Sequence, residues 1–235
     1  MPERNNTEND PALLEQIAAL RALSAGVAHE IRNPLAVIQS LVQHLAQKTK
    51  DESQKKLAEA VTAEVQRLNH FLTEFLAFSK PPELQRESVS AKALIENALT
   101  FAVLPDQHPH LNIQCDIPKD LPPVVVDPDA IHQVLLNGLK NSLQSMKGEG
   151  TLEIRARISK KHFTIQIKDT GIGIAPEQLD KVFLPFFTTK RGGTGLGLAI
   201  SHQIITLHGG RLYFKKNQGK GMTLFIEVPQ KTENP

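Results

Sequence analysis

The chain has 235 residues, 40% of them apolar, and 27 basic against 25 acidic side chains leave a formal net charge of +2. That length suits one large domain or two small ones with packed cores, and charge so evenly balanced excludes the concentrated basic field of a dedicated nucleic-acid binder. The single cysteine, Cys115, excludes an internal disulfide and fits a reducing compartment.

The polar start MPERNNTEND, within a polar segment 1–11, has no signal-peptide core, and no apolar run reaches the length of a membrane span. A cytoplasmic chain is expected, either soluble as it stands or the inner part of a longer membrane receptor. Residues 12–80 show no strand-like alternation. Ile17, Leu20, Val27, Ile31, Ile38, Leu41 and Leu45 fit a 3-4 spacing with Ser24 and Pro34 in the gaps, and Val61, Val65, Leu68, Leu72 and Phe75 repeat it. Both stretches are heptad seams. Thr49 and Glu52 stand between them at capping-box spacing, so a helical hairpin is predicted. Each helix of such a hairpin buries only one stripe. Dimerisation into a four-helix bundle answers this; packing of the hairpin on the second half of the same chain is the alternative.

Pro81 and Pro82 open a stiff linker, 81–84. From 85 to 230 the pattern changes. Strands are predicted at 111–117, 150–158, 162–169, 210–216 and 222–228, and helices at 91–102, 129–146 and 195–209. This order predicts an α+β layer with helices on one face of a mixed sheet. Residues 231–235 form a polar tail.

Within the first helix, GVAHEIRNP sets His29 beside Glu30 and Pro34 four residues after Glu30. A helix turns about 100° per residue. His29 lies two residues from both Val27 and Ile31 on the seam, so it is expected to face solvent. Pro34 has no N–H for the Glu30 carbonyl, which loosens the backbone beside the pair. One reading is a solvated histidine near an incidental proline. The other is a nucleophile, since neutral imidazole attacks phosphorus and an adjacent carboxylate takes its proton or holds the ring. The choice turns on whether the chain carries a phosphoryl donor.

There is no Walker-type phosphate loop and no H-R-D or D-F-G element. Three other segments stand in order. In HQVLLNGLKNSLQSM, Asn137 and Asn141 share a helical face opposite Val134, Leu135, Leu139 and Leu143, and two amides so placed can hold a metal hydrate or phosphate oxygens. In KDTGIGIAPEQL, a strand ends at Asp169 before Gly171 and Gly173. This is either a simple glycine turn or a site where a flat ring approaches the backbone and a carboxylate accepts from an exocyclic amine. In FLPFFTTKRGGTGLGLAI, Gly192, Gly193, Gly195 and Gly197 frame the stretch after Lys190 and Arg191 and run into a helix, an arrangement that offers N–H groups to phosphate. Phe183, Phe186 and Phe187 either anchor a mobile lid or pack in the core beside a flexible connector.

Together these segments resemble the sensor histidine kinases of two-component systems, over about residues 12–230. AHEIRNPL is similar to the H box of that family, NGLKN to its N box, DTGIGI to its G1 box, FLPFFTTK to its F box and GTGLGLAI to its G2 box, in the family's order. The resemblance implies a dimerisation and histidine-phosphotransfer hairpin at 12–80, a four-helix bundle in the homodimer. It implies at 85–230 an ATP-binding catalytic domain, a GHKL-type α/β sandwich with a mixed sheet, as in gyrase, Hsp90 and MutL. His29 would be the phosphoacceptor, Glu30 its base, and Asn33 the residue orienting water when the kinase dephosphorylates its partner. Asn141, assisted by Asn137, would hold Mg²⁺. Asp169 would read the adenine of ATP, with Gly171 and Gly173 shaping the pocket. Lys190, Arg191, Gly193, Thr194, Gly195, Leu196 and Gly197 would line lid and phosphates. The implied partners are a second copy of the chain, the receiver domain of a response regulator, and an upstream sensor protein or a sensor domain not contained here. Neither direct nucleic-acid contact nor a membrane segment is expected.

Many members carry a basic residue three positions after the metal-binding Asn, where this chain has Gln144. Lys140, Lys190 and Arg191 stand as alternative sources of that charge. A phosphotransfer scaffold without catalysis would lack the Asn137/Asn141, Asp169 and glycine sets. A GHKL ATPase working as a clamp would leave His29 and Pro34 without a purpose.

Overall fold

The computed structural model describes residues 11–80, 83–103, 110–159, 161–190 and 192–230, with the side chains of 11–29 outside that description. The chain divides into two units, Met1–Pro81 and Pro82–Pro235.

The first unit is a pair of helices, α1 (Pro11–Lys48) and α2 (Glu52–Ser79). The turn between them is closed by Asp51, whose side chain accepts from the Ser53 N–H at 2.9 Å. Thr49 does not cap α2 as its spacing with Glu52 predicts. Its hydroxyl accepts from the Asp51 N–H and donates to Gln54 Oε1, because Asp51, directly before the first helical residue, is nearer the exposed N–H groups. Leu35, Val65 and Leu72 form the buried cluster between the helices, with Val61 and Leu76 against it. The predicted seam of α2 is met at Val61, Val65 and Leu72. On α1 the residue that packs is Leu35, one position beyond the gap filled by Pro34, and Ile31, Ile38, Leu41 and Leu45 are 41–65% exposed in the single chain. The helix runs unbroken through Pro34.

The second unit is a five-stranded mixed sheet, backed by three helices. Its strands are β2 (His110–Asp116), β4 (Glu149–Ile158), β5 (His162–Asp169), β6 (Arg211–Lys216) and β7 (Met222–Pro229), in the order β2-β4-β5-β7-β6. Only the β2–β4 pair is parallel. Alternation along β4, β5 and β7 sends Leu152, Ile154, Ala156, Phe163, Ile165, Ile167, Leu224 and Ile226 inward. They meet α4 (Pro128–Met146) and α5 (Gly197–Leu207), with α3 (Ala91–Ala102) packed on α4. Gly138 lets α4 settle on the sheet: a Cβ there would lie 2.9 Å from Ile167 Cδ1 and 3.0 Å from Leu224 Cδ2. All five predicted strands and three predicted helices are present within two residues of their expected ends. Two short strands are additional, β1 (Glu87–Val89) and β3 (Val124–Val126), paired antiparallel. Among the described residues no helix is long and apolar enough to cross a membrane.

One buried histidine ties the entry strand to the helices. Asp127 caps α4 through Oδ1 (Ala130 N–H, 2.9 Å) and takes the Gln85 N–H on Oδ2 at 2.7 Å. Its own N–H donates to His208 Nε2 at 3.1 Å, so that nitrogen is an acceptor and the proton sits on Nδ1, donated to the Ile204 carbonyl at 2.8 Å. Burial pushes the His208 pKa below its ordinary 6.5 and the nearby Arg86 adds to this, while the Ile204 bond and Asp127 oppose it. His208→Ala leaves the Asp127 N–H without an acceptor and should lower the unfolding free energy by about 1–3 kcal/mol. As pH falls, the unfolded chain takes up the proton before the folded one. This contribution is therefore full above 6.5 and is lost as pH falls toward the depressed folded value. Urea unfolding at about pH 7.5 and about pH 5.5 checks it: the gap between wild type and variant should shrink in acid. An equal gap at both would show that His208 carries no proton-linked stability.

Candidate active site

The residues singled out in the second unit lie on three elements that meet along α4. The first is the end of β5. Asp169 is 5% exposed, and a carboxylate so buried requires donors. Its Oδ1 accepts the Gly171 N–H at 2.9 Å and the Met222 N–H at 3.4 Å, and its Oδ2 accepts the Ser142 hydroxyl at 3.3 Å. A carboxylate has roughly four lone-pair directions, so Oδ2 retains one for a further donor. The main-chain carbonyl of Asp169 takes Asn217 Nδ2 at 2.8 Å.

The loop after Asp169 is shaped by its two glycines. Gly171 is buried, and a Cβ there would lie 2.7 Å from Ser145 Cβ. Gly173 has φ +77, a backbone that side chains rarely adopt. Between them Ile172 is 81% exposed. Beside the loop opens a cavity of about 680 Å³, walled by Gly171 to Pro176, Ser145 to Lys147 and the Gly219–Met222 turn. It is of the size that admits a drug-sized ligand. Asp169 is not among its walls, so the cavity marks space beside the loop rather than the carboxylate's own recognition face.

The second element is α4. Asn137 and Asn141 share a face as expected, but their amides do different things. Asn137 Nδ2 donates to the Gly197 carbonyl at 2.9 Å and to Ser201 Oγ at 3.1 Å, clamping the first turn of α5. Asn141 Oδ1 accepts from Lys190 Nζ at 2.5 Å, and Gln144 Oε1 accepts from the same ammonium at 2.6 Å. Two neutral oxygens one helical turn apart thus converge on a positive charge.

The third element is the segment that leads into α5. Phe183 stacks on Phe214 with centroids 5.8 Å apart and leans on His202. Phe186 (φ 65) and Gly195 (φ 71) are both left-handed and lie backbone to backbone: a Cβ on Gly195 would be 2.8 Å from Phe186 Cα. A tight turn holds Lys190, whose N–H donates to Thr188 Oγ1 at 3.1 Å and whose carbonyl accepts the Gly193 N–H at 3.3 Å. Thr194 Oγ1 accepts the Leu196 N–H. Leu196 supplies no side-chain cap to α5, which leaves first-turn N–H groups available to an anion. Burial of the Lys190 ammonium against α4 lowers its pKa, and the negative charge of Asp169 works the other way.

In the first unit, Glu30 and Asn33 are exposed on α1, three residues apart on one face. His29 lies on α1, with its side chain outside the described residues, and Arg191 is outside them altogether. Sequence reasoning did not find Ser142 and Asn217, the supports of Asp169. Ser142 follows Asn141 directly, whereas Asn217 opens the turn NQGKG and reads only as hairpin chemistry.

Comparison with known proteins agrees with this arrangement. Residues 126–232 match the family described as histidine kinase-, DNA gyrase B-, and HSP90-like ATPase. Residues 19–84 match the His Kinase A (phospho-acceptor) domain. The sensor histidine kinase ZraS of Escherichia coli (strain K12) is 37% identical over 216 residues, 92% of this chain and 46% of ZraS. The chain thus spans about half the length of the curated relatives it matches. Full-length ShkA, solved in complex with AMPPNP, has the same fold, with a TM-score of 0.77 at 24% identity over 94% of this chain and 47% of ShkA. Histidine kinase ThkA, solved in complex with response regulator protein TrrA, gives 0.70 at 26% identity over all of this chain and 69% of ThkA. With phospho-acceptor and ATPase-type segments matched in that order, and a relative alike across nearly the whole chain, the protein belongs to the sensor histidine kinases of two-component systems.

Proposed function

We propose that the chain catalyses ATP-dependent phosphorylation of its own His29 and passes the phosphoryl group to an aspartate on a response regulator. The observation that carries this is the cation-gathering pair on α4, Asn141 and Gln144, which flank Ser142, the helix's donor to the buried carboxylate of Asp169, in a chain whose phospho-acceptor segment contains His29. Residues 12–80 act as the dimerising and phosphoaccepting part, and 85–230 as the ATP-binding part.

The residue chemistry fits ATP and Mg²⁺. The remaining acceptor direction of Asp169 Oδ2 suits an adenine amine, and the uncapped start of α5 suits phosphate oxygens. Mg²⁺ is a hard cation held through one or two protein oxygens plus substrate phosphates. Asn141 Oδ1, already gathering a positive charge, supplies such an oxygen. Asn137 supports it from the turn before, and among the described residues no cluster of His, Cys, Asp or Glu competes for the metal. When bound, the metal would neutralise developing charge on the phosphates.

The chain's own groups do the rest. A ring nitrogen of His29 forms a bond to the γ-phosphorus as the bond to the β–γ bridging oxygen breaks, and ADP leaves with that electron pair. Glu30 takes the ring proton, so the phosphoimidazole is left neutral. Gly193, Thr194, Gly195, Leu196 and Gly197 form the backbone path from lid to α5 that contacts the phosphates. Asn33, on the same face as Glu30, orients water when the kinase dephosphorylates its regulator. The exposed Ile31, Ile38, Leu41, Leu45 and Leu68 support a homodimer, since each buries apolar side-chain area worth about 1.5–3 kcal/mol when fully covered. The ThkA complex with TrrA supports a receiver domain as the partner.

Incubation with γ-labelled ATP should give a label stable in alkali and lost in acid. His29→Ala should abolish it, and label persisting in that variant defeats the assignment. Asn141→Ala should lower the labelling rate by at least about tenfold with the oligomeric state unchanged in gel filtration. Gly171→Ala, whose Cβ meets Ser145, should weaken binding of a fluorescent adenine nucleotide, while Gln114→Ala, exposed on β2, should leave binding unchanged. Equal effects of the two would remove the loop from the adenine site.

A further inference from the structure

The buried pair Asp127 and His208 has no part in the chemistry described above, yet it stands where the chain enters the second unit. Asp127 is 8% exposed and His208 2%. Groups of this kind are costly to bury unless they are hydrogen-bonded. Here the bonds converge on one segment. Asp127 Oδ1 takes the Ala130 N–H and so caps α4, while Oδ2 takes the Gln85 N–H at 2.7 Å. Capping alone does not call for an aspartate, since a cap needs one oxygen and asparagine or serine serves equally well. The second oxygen is the feature that only a carboxylate supplies here, and it is given to Gln85, the first residue after the linker.

Other ties hold the same stretch. Arg86 donates from its guanidinium to the carbonyl of Leu207, the last residue of α5, at 2.9 Å. Glu87, Ser88 and Val89 pair with Val126, Val125 and Val124, the three residues before Asp127. The Val125 N–H is taken by Gln230 Oε1 at 3.0 Å, just past the end of β7. His208 steadies the Asp127 main chain by accepting its N–H at 3.1 Å. The chain leaving the linker is therefore fastened at once to the start of α4 and to the end of α5. These are the helix that carries Asn137 and Asn141 and the helix whose first turn Asn137 clamps.

We propose that Asp127 is a positioning residue for phosphoryl transfer: its second oxygen fixes the segment after the linker to α4, so that the ATP-binding part presents its nucleotide from a set point. This rests on the reading that His29 receives the phosphoryl group from ATP. In-line attack leaves little latitude, and a misplacement of about 1 Å costs about a hundredfold in rate. A nucleotide site joined to its acceptor through a linker meets that demand only if the linker's end is fixed to the helices that carry the site. A main-chain N–H held by a carboxylate is a charge-assisted bond, about twice as strong as one between neutral groups.

Asp127→Asn separates the two duties. Asparagine still caps α4, but it offers one oxygen to two donors, so Gln85 loses its acceptor. Single-turnover labelling of His29 at saturating ATP should slow by about tenfold or more. The dissociation constant for ATP, read by calorimetry, should stay at the wild-type value, and the Gln85 amide should exchange with deuterium faster than in wild type. Arg86→Met cuts the tie to Leu207 without touching the cap and should slow labelling in the same way. A residue that only supported the fold would lower affinity together with rate. The proposal is overturned by labelling at the wild-type rate in Asp127→Asn, or by an ATP affinity that falls there as much as the rate. Should Asp127→Asn not fold, labelling at the wild-type rate in Arg86→Met overturns it. Wild-type protein that forms no phosphohistidine would instead defeat the reading on which the proposal rests, so the two failures are told apart.

Discussion

The carboxylate of Asp169 is the point on which the second unit is assembled. It is a charge placed almost wholly out of water, and an ionised group in that position is stable only with donors supplied by its surroundings. The donors come from three separate places: Ser142 on α4, Gly171 in the loop, and Met222 at the start of β7. Asn217 adds a fourth tie, from the turn to the Asp169 carbonyl, and its own Oδ1 takes the Thr223 hydroxyl at 2.7 Å. Helix, strand end, loop and turn are therefore fixed relative to one oxygen pair. Gly221 serves the same end, since a Cβ there would lie 2.7 Å from the Asp169 carbonyl carbon and force the turn away.

Because α4 is pinned at Ser142 and seated on the sheet through Gly138, the side chains flanking Ser142 inherit a fixed aim. Asn141 precedes it and Gln144 follows two residues later, both on the rim rather than in the core. Asn137, a turn earlier, is spent on α5, holding the Gly197 carbonyl and Ser201. The consequence is a division of labour along one helix. Asn137 fixes the start of α5, Ser142 supports the carboxylate, and Asn141 and Gln144 meet the Lys190 ammonium. A helix with all three amides turned to a ligand would have no purchase on α5.

Much of this was legible in the sequence, for identifiable reasons. Period-two runs such as HFTIQIKD gave their strand directly, because β5 buries every second residue. The end of β5 at Asp169 was legible from the same alternation, whereas the pattern of a carboxylate before G-x-G fits a simple glycine turn as well as a site, and only the family resemblance separated the two. The three-residue strands β1 and β3 were not, since three residues carry no period and Val124–Val126 follows two prolines. The α2 cap went to Asp51 rather than Thr49 because a capping box is a spacing rule, while the contact is decided by which oxygen stands nearest the first N–H groups. The hydrogen bond from Lys190 to Gln144 was out of reach altogether, for it joins two segments by side chains alone and leaves no local pattern.

The proline in α1 shows how a helix tolerates a defect in its backbone bonding. Pro34 removes the bond to the Glu30 carbonyl, and an interior proline costs about 3 kcal/mol or more. Yet α1 continues through it for more than three turns, to Lys48. Leu35, the next residue, is the one apolar side chain of described α1 that is buried against Val65 and Leu72, and full burial of a leucine returns about 1.5–3 kcal/mol. The compensation thus sits C-terminal to the proline, while the broken bond lies N-terminal to it, at Glu30. The helix is anchored at Leu35, and the carbonyl that Pro34 leaves without its helical donor belongs to Glu30, the neighbour of His29. The order Glu30–Pro34–Leu35 therefore puts the broken bond and its compensation on opposite sides of a single residue.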